Sequence, residues 1–177
     1  MAVAKKMLQF MESGSWIRKM FEEGARLKKI HGEDKVFDFS LGNPNVPAPE
    51  VVKQKLLEIL NKDEPSLHAY MPNAGLLGTR SALSAYLSGE YSVAIEPQHL
   101  IVTCGAAGAL NIVFKSLLDP GDEILSPTPY FVEYSFYADN HGGVLKTVAV
   151  REDFTLDLEG MAEAIGPKTK IILINSP

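Results

Sequence analysis

The sequence predicts an α/β fold on a parallel sheet, preceded by a helical amino-terminal segment, and three observations carry that prediction. From about residue 100, short apolar runs alternate with stretches of helical period in the order strand, helix, strand, helix, strand, helix, strand. Turn signals such as Asp119-Pro120-Gly121-Asp122 separate them. Before residue 50 the period is helical, interrupted by Leu41-Gly42-Asn43-Pro44-Asn45-Val46-Pro47-Ala48-Pro49, where three prolines and a glycine exclude regular structure.

Each element has its own justification. Trp16, Ile17, Met20, Phe21 and Leu27 recur near a 3.6 spacing, which predicts a helix over about 14–31 with Arg18, Lys19, Glu22, Glu23, Lys28 and Lys29 on its wet face. Val36-Phe37-Asp38-Phe39-Ser40 reads as a short strand. Pro49 suits the first turn of a helix carrying Val52, Leu56, Ile59 and Leu60 on one side. The loop His68-Ala69-Tyr70-Met71-Pro72-Asn73-Ala74-Gly75 leads into a helix with Leu76, Leu83 and Leu87 on one face. Leu100-Ile101-Val102-Thr103 reads as a buried strand, and Leu110, Val113, Phe114 and Leu117 mark the helix after it. Strands follow at 123–126, 144–150 and 170–175, with helices at 130–139 and 157–165 between them. Parallel strands joined in this way call for right-handed crossovers.

Composition narrows the function classes. The 177 residues suit one domain, and 46% hydrophobic with 22% charged residues is the make-up of a folded soluble chain. A net charge of -5 argues against a nucleic-acid binder. Cys104, the single cysteine, excludes an intrachain disulfide and fits a reducing compartment. No run nears the roughly 18 apolar residues of a membrane helix, and the start lacks the apolar core of a secretion signal, so the expectation is a cytoplasmic protein. His31, His68, His99 and His141 lack metal-ligand spacing, and no G-x-S-x-G elbow is present, so metal and serine-hydrolase chemistry have no support. Arg80 and the Lys28-Lys29 pair read as solvated helix faces, and Cys104 as a buried small residue.

The chemistry concentrates after residue 100. Val102-Thr103-Cys104-Gly105-Ala106-Ala107-Gly108 joins a strand to a helix through small residues, which lets an anion approach the backbone N–H groups at the helix start. The same residues also suit plain close packing of helix on strand. Neither G-x-G-x-x-G nor G-x-x-x-x-G-K-[ST] occurs, which favours a phosphate ester smaller than a nucleotide. Ser126-Pro127-Thr128-Pro129-Tyr130-Phe131 then sets two aromatics at the end of the next strand, where a ring can stack on a flat ligand or cap the core.

With these motifs in place, the chain resembles the amino-terminal half of the class I/II aminotransferases, pyridoxal-phosphate enzymes of the aspartate aminotransferase fold (fold type I). The matching motifs are Ser40-Leu41-Gly42-Asn43-Pro44, Tyr70-x-x-x-x-Gly75, Val102-Thr103-x-Gly105-Ala106-Ala107, Gly121-Asp122-Glu123-Ile124-Leu125-x-Pro127-x-Pro129-Tyr130 and Ile172-Leu173-Ile174-Asn175-Ser176-Pro177. They stand in order from about residue 14 to the end. The resemblance implies an amino-terminal segment over 1–47 and the first part of the cofactor-binding large domain over 48–177.

The resemblance also implies roles. Main-chain N–H groups of Gly105, Ala106 and Ala107 would hold the cofactor phosphate, with one hydroxyl contact missing because many relatives have Ser or Thr at Ala107. Phe131 would stack on the pyridine ring, with Tyr130 its neighbour; Tyr70 would reach the phosphate of a partner subunit in a homodimer. Gly42 would approach the substrate carboxylate, Asn43 has no assigned role, and the helix containing Trp16 and Ile17 resembles a segment that closes over substrate. The implied reaction is transamination between an amino acid, of aspartate/glutamate or aromatic type, and a 2-oxo acid. No lysine here lies in the context of the Schiff-base lysine, so the expectation is a truncated chain, inactive without its carboxyl-terminal half. A lyase or synthase of the same fold, or a non-catalytic phosphate-ligand or interaction module, remains open.

Overall fold

Parallel strands must be joined by crossovers that return the chain to the same end of the sheet, and residues 123–172 do this twice, through the helices Glu133–Asn140 and Leu158–Ala164. The computed structural model describes residues 2–13, 16–39, 42 and 44–175. The chain divides into two compact units, residues 1–67 and 68–177.

The first unit is helical. It contains α1 (Lys5–Ser13), α2 (Trp16–His31) and α3 (Glu50–Leu60). The periodicity read over 14–31 appears as α2, whose last turn carries Lys28, Lys29 and His31 where positive charge complements the helix dipole. Helix α1 has no counterpart in the sequence reading. Pro49 sits at the N-cap of α3, one position ahead of its expected place, and the Val52, Leu56, Ile59 and Leu60 stripe of α3 is exposed.

The strand expected at 36–40 is not formed over the described part of it, 36–39. That segment is held by a side chain instead: Lys28 Nζ approaches Asp38 Oδ2 at 3.5 Å. Gly24 of α2 lies against the same carboxylate, close enough that a Cβ there would stand 3.1 Å from Oδ2. A helix offers no main-chain ladder, so an alternating apolar run laid along one stays irregular.

The second unit holds α4 (Leu77–Tyr91), α5 (Gly105–Leu117), β1 (Glu123–Thr128), α6 (Glu133–Asn140), β2 (Val144–Ala149), α7 (Leu158–Ala164) and β3 (Thr169–Ile172). The sheet order is β2-β1-β3, all parallel, with Glu123 opposite Val144 and Thr128 opposite Ala149. The chain therefore crosses through α6 to one side of β1 and through α7 to the other. Central position explains why Ile124, Leu125 and Ser126 of β1 are buried. Phe114 of α5, Ile124 and Ala138 of α6 form the core, packed round by Leu110, Leu118, Tyr137, Leu145, Ile171 and Leu173.

Residues 100–103 depart from expectation: they form no strand. Among the described residues three strands pair with one another, and none of them borders this segment. Its main chain bonds to loops instead, the Val102 N–H donating to the Ala74 carbonyl at 3.0 Å and the Leu100 N–H to that of Pro97 at 3.3 Å. Ile101 and Val102 are correspondingly exposed. Among the described residues, no helix is long and apolar enough to cross a membrane.

Candidate cofactor site

The site is assembled from the carboxyl end of β1, the start of α5 and the turn before α4. Leu118, just past α5, lies against Gly143, just ahead of β2, so near that a Cβ on Gly143 would stand 2.7 Å from Leu118 Cδ1. The end of α5 therefore sits beside the amino ends of the strands. Helix α5 spans 13 residues and β1 spans 6, each about 20 Å long. A helix of that length running back along the sheet would start near the level of the carboxyl end of β1, the edge where α/β proteins bind ligands.

The start of α5 suits an anion. Its N-cap, Cys104, makes no side-chain cap, and no acidic residue stands in the first turn. Gly105 adopts φ 72°, and a Cβ built there would meet nothing within 4 Å. The Gly105 N–H donates to the Thr103 carbonyl at 3.0 Å, while Thr103 Oγ1 donates to the Gly105 carbonyl at 2.9 Å, closing a small turn. Helix geometry leaves the N–H groups of Ala106 and Ala107 without intrahelical acceptors, and both residues are exposed. These features fit a phosphate group: donors, open space and a favourable dipole.

Phe131 follows β1 and is 48% exposed, whereas Tyr134 beside it is 8% exposed. Their rings meet edge to face with centroids 5.6 Å apart. Tyr130 is half-buried. Tyr70 is fully exposed, on the turn whose Ala74 carbonyl receives the Val102 N–H. The second unit thus ties the turn bearing Tyr70 to the segment leading into Gly105. Gly42 belongs to the first unit, is exposed, and has no atom within 4 Å of an added Cβ. Asn43 and its motif neighbours Ser40 and Leu41 lie outside the described residues, as do the side chains of Trp16 and Ile17.

Two expectations are corrected. Cys104 is exposed, not buried, because it stands at the N-cap position of α5 beside a segment that no strand covers. Arg80 is not a solvated helix face: its Nη1 donates to the Pro97 carbonyl at 2.8 Å and its Nε to that of Gly75 at 3.3 Å. A cation in the first turn of a helix opposes the dipole, and that misplacement was the available signal that Arg80 serves something other than α4. Asn111 was also passed over; its Nδ2 donates to the Ala107 carbonyl at 2.9 Å, and its Oδ1 lies 3.0 Å from His141 Nε2.

Comparison with known proteins agrees with this geometry. A probable aspartate aminotransferase of Methanocaldococcus jannaschii is 36% identical over 140 residues, covering 79% of this chain and 36% of that protein. The aspartate/prephenate aminotransferase of Thermus thermophilus is 36% identical over 138 residues, 77% of this chain and 35% of that protein. The crystal structure of an amino transferase from Eubacterium rectale superposes with a TM-score of 0.92 at 34% identity, covering 100% of this chain and 45% of that one. The chain thus spans less than half the length of these relatives. The family model for aminotransferase class I and II, whose members depend on pyridoxal phosphate, matches residues 34–177. An open, uncapped helix start at the carboxyl end of a parallel sheet and a match across most of the sequence lead to one conclusion: this chain belongs to the class I and II aminotransferases.

Proposed function

We propose that this chain carries the phosphate-holding and ring-stacking part of a pyridoxal-phosphate site in an enzyme that transfers an amino group between an amino acid and a 2-oxo acid. The observation that carries the reading is the start of α5, where Ala106 and Ala107 N–H groups without intrahelical acceptors, a terminus with no side-chain cap and an unobstructed Gly105 coincide. The substrates are of aspartate/glutamate or aromatic type, in keeping with the aspartate, aspartate/prephenate and aromatic aminotransferases among its relatives.

In this reading, Gly105, Ala106 and Ala107 hold the phosphate, and the positive end of α5 lowers the cost of its charge. Phe131 lies along the ring and excludes water from one of its faces. Tyr70 reaches the phosphate of a partner subunit, which makes the working unit a homodimer. Gly42 leaves room for the substrate carboxylate. Pyridoxal phosphate, when bound, supplies the electron-withdrawing ring through which the amino group is exchanged. The reactive lysine belongs to a carboxyl-terminal remainder, in keeping with the 36% of the Methanocaldococcus jannaschii relative that the chain covers. Residues 1–47 form the segment that meets substrate, residues 48–177 open the large domain, and the enzyme works in the cytoplasm.

The test uses the full-length protein containing residues 1–177. It is loaded with pyridoxal phosphate, reduced with borohydride and mapped by mass, and amino transfer to 2-oxoglutarate is followed with aspartate and aromatic donors. We expect cofactor trapped on a lysine beyond residue 177, amino transfer by the full-length protein, and none by the separate 1–177 chain. A full-length protein that traps no cofactor overturns the reading.

A further inference from the structure

Arg80 makes the least expected contacts in the second unit. It lies in the first turn of α4, half-buried, and spans two carbonyls belonging to different segments. Nε donates to the Gly75 carbonyl at 3.3 Å and Nη1 to the Pro97 carbonyl at 2.8 Å. Gly75 is buried at φ 92°, and a Cβ there would stand 2.9 Å from Val102 Cβ. One residue earlier, the Ala74 carbonyl accepts the Val102 N–H at 3.0 Å. The turn behind Tyr70 and the segment leading to Gly105 are thus braced at two points, one the guanidinium and the other a main-chain bond.

We propose that Arg80 is a positioning residue for the cofactor seat, a role resting on the reading of that seat given above. It touches no reacting group. Its planar fork fixes residues 75 and 97 relative to each other, and so sets where the chain delivers Tyr70 and the head of α5. Its position explains why a cation tolerates the positive end of α4: two carbonyl dipoles offset the unfavourable field. Lysine keeps the charge but cannot place two donors in one plane at this spacing, so it does not substitute.

The experiment compares full-length wild-type protein with Arg80→Lys and Arg80→Gln. Two quantities are read: the Kd for pyridoxal phosphate, from absorbance titration of the apoprotein, and hydrogen exchange at two amides. The Val102 amide reports the brace; the Leu173 amide, bonded to the Leu125 carbonyl at 2.8 Å, reports the sheet. Arg80→Lys is expected to raise Kd about tenfold and to speed exchange at Val102 while Leu173 stays protected. Unchanged Kd overturns the proposal whatever Val102 does. Equal loss of protection at both amides also overturns it, because Arg80 then serves stability alone. A wild-type protein that binds no cofactor defeats the reading of the seat and this role with it, an outcome distinct from wild-type binding that Arg80→Lys leaves unaltered.

Discussion

Phe131 and Tyr134 meet edge to face at an interplanar angle of 78°, and the pair divides its labour between binding and stability. Tyr134 is buried against the second unit, while Phe131 keeps about half its surface in solvent. Phe131→Ala is expected to weaken pyridoxal phosphate binding about fivefold, the equivalent of the roughly 1 kcal/mol that ring contacts contribute, with little change in thermal midpoint. Tyr134→Ala is expected to lower stability by about 3 kcal/mol. Cofactor titration and thermal unfolding of the full-length variants check both; a reversed pattern would mean Phe131 is the structural ring.

Two glycines with positive φ separate conformational strain from steric overlap. Gly105→Ala meets no neighbour within 4 Å, so its cost is backbone strain alone, roughly 1–2 kcal/mol. Gly75→Ala adds overlap with Val102 at 2.9 Å and is expected to cost about 3 kcal/mol or more. Urea midpoints at constant slope measure the difference. Equal costs would show that Val102 yields freely.

Phe114→Ala removes a fully buried ring from the centre of the core. The expected loss is about 3–5 kcal/mol, read from denaturant unfolding. A loss below roughly 1 kcal/mol would mean that Leu110, Leu118 and Tyr137 collapse into the space.

One acid-side effect follows from the 151–155 turn. The Thr155 hydroxyl donates to Asp153 Oδ1 at 2.6 Å and its N–H at 3.0 Å, holding the Asp153 carboxyl below the ordinary aspartate range. A carboxylate whose folded pKa is lowered contributes fully above its unfolded value and loses that contribution as pH falls through the folded one. Stability of the wild type should therefore decline more steeply below the ordinary aspartate range than that of Asp153→Asn. Superimposable acid limbs would contradict this assignment.

The sequence showed most of the second unit plainly. The strands at β1, β2 and β3 and the helices between them sit within a few residues of their expected places, because each carries its own period and turn signals. Residues 36–39 and 100–103 show the limit of that method. Val36-Phe37 and Ile101-Val102 have the side chains of strands, but a strand is a relationship with a neighbour, and local pattern says nothing of the neighbour. Cys104 was misread for the same reason, its burial depending on strands that would flank 100–103. Arg80 was legible only in part. Its position against the dipole was visible, while its two carbonyl partners, 5 residues before it and 17 after, come together only in the fold.

The open main chain of residues 100–103 has an energetic consequence. These residues lead directly into Gly105, and Val102 is anchored by one bond to Ala74. Any strand that docks along this edge would therefore stiffen the mouth of α5 in the same step. Such docking and cofactor capture would then tighten each other by an equal factor.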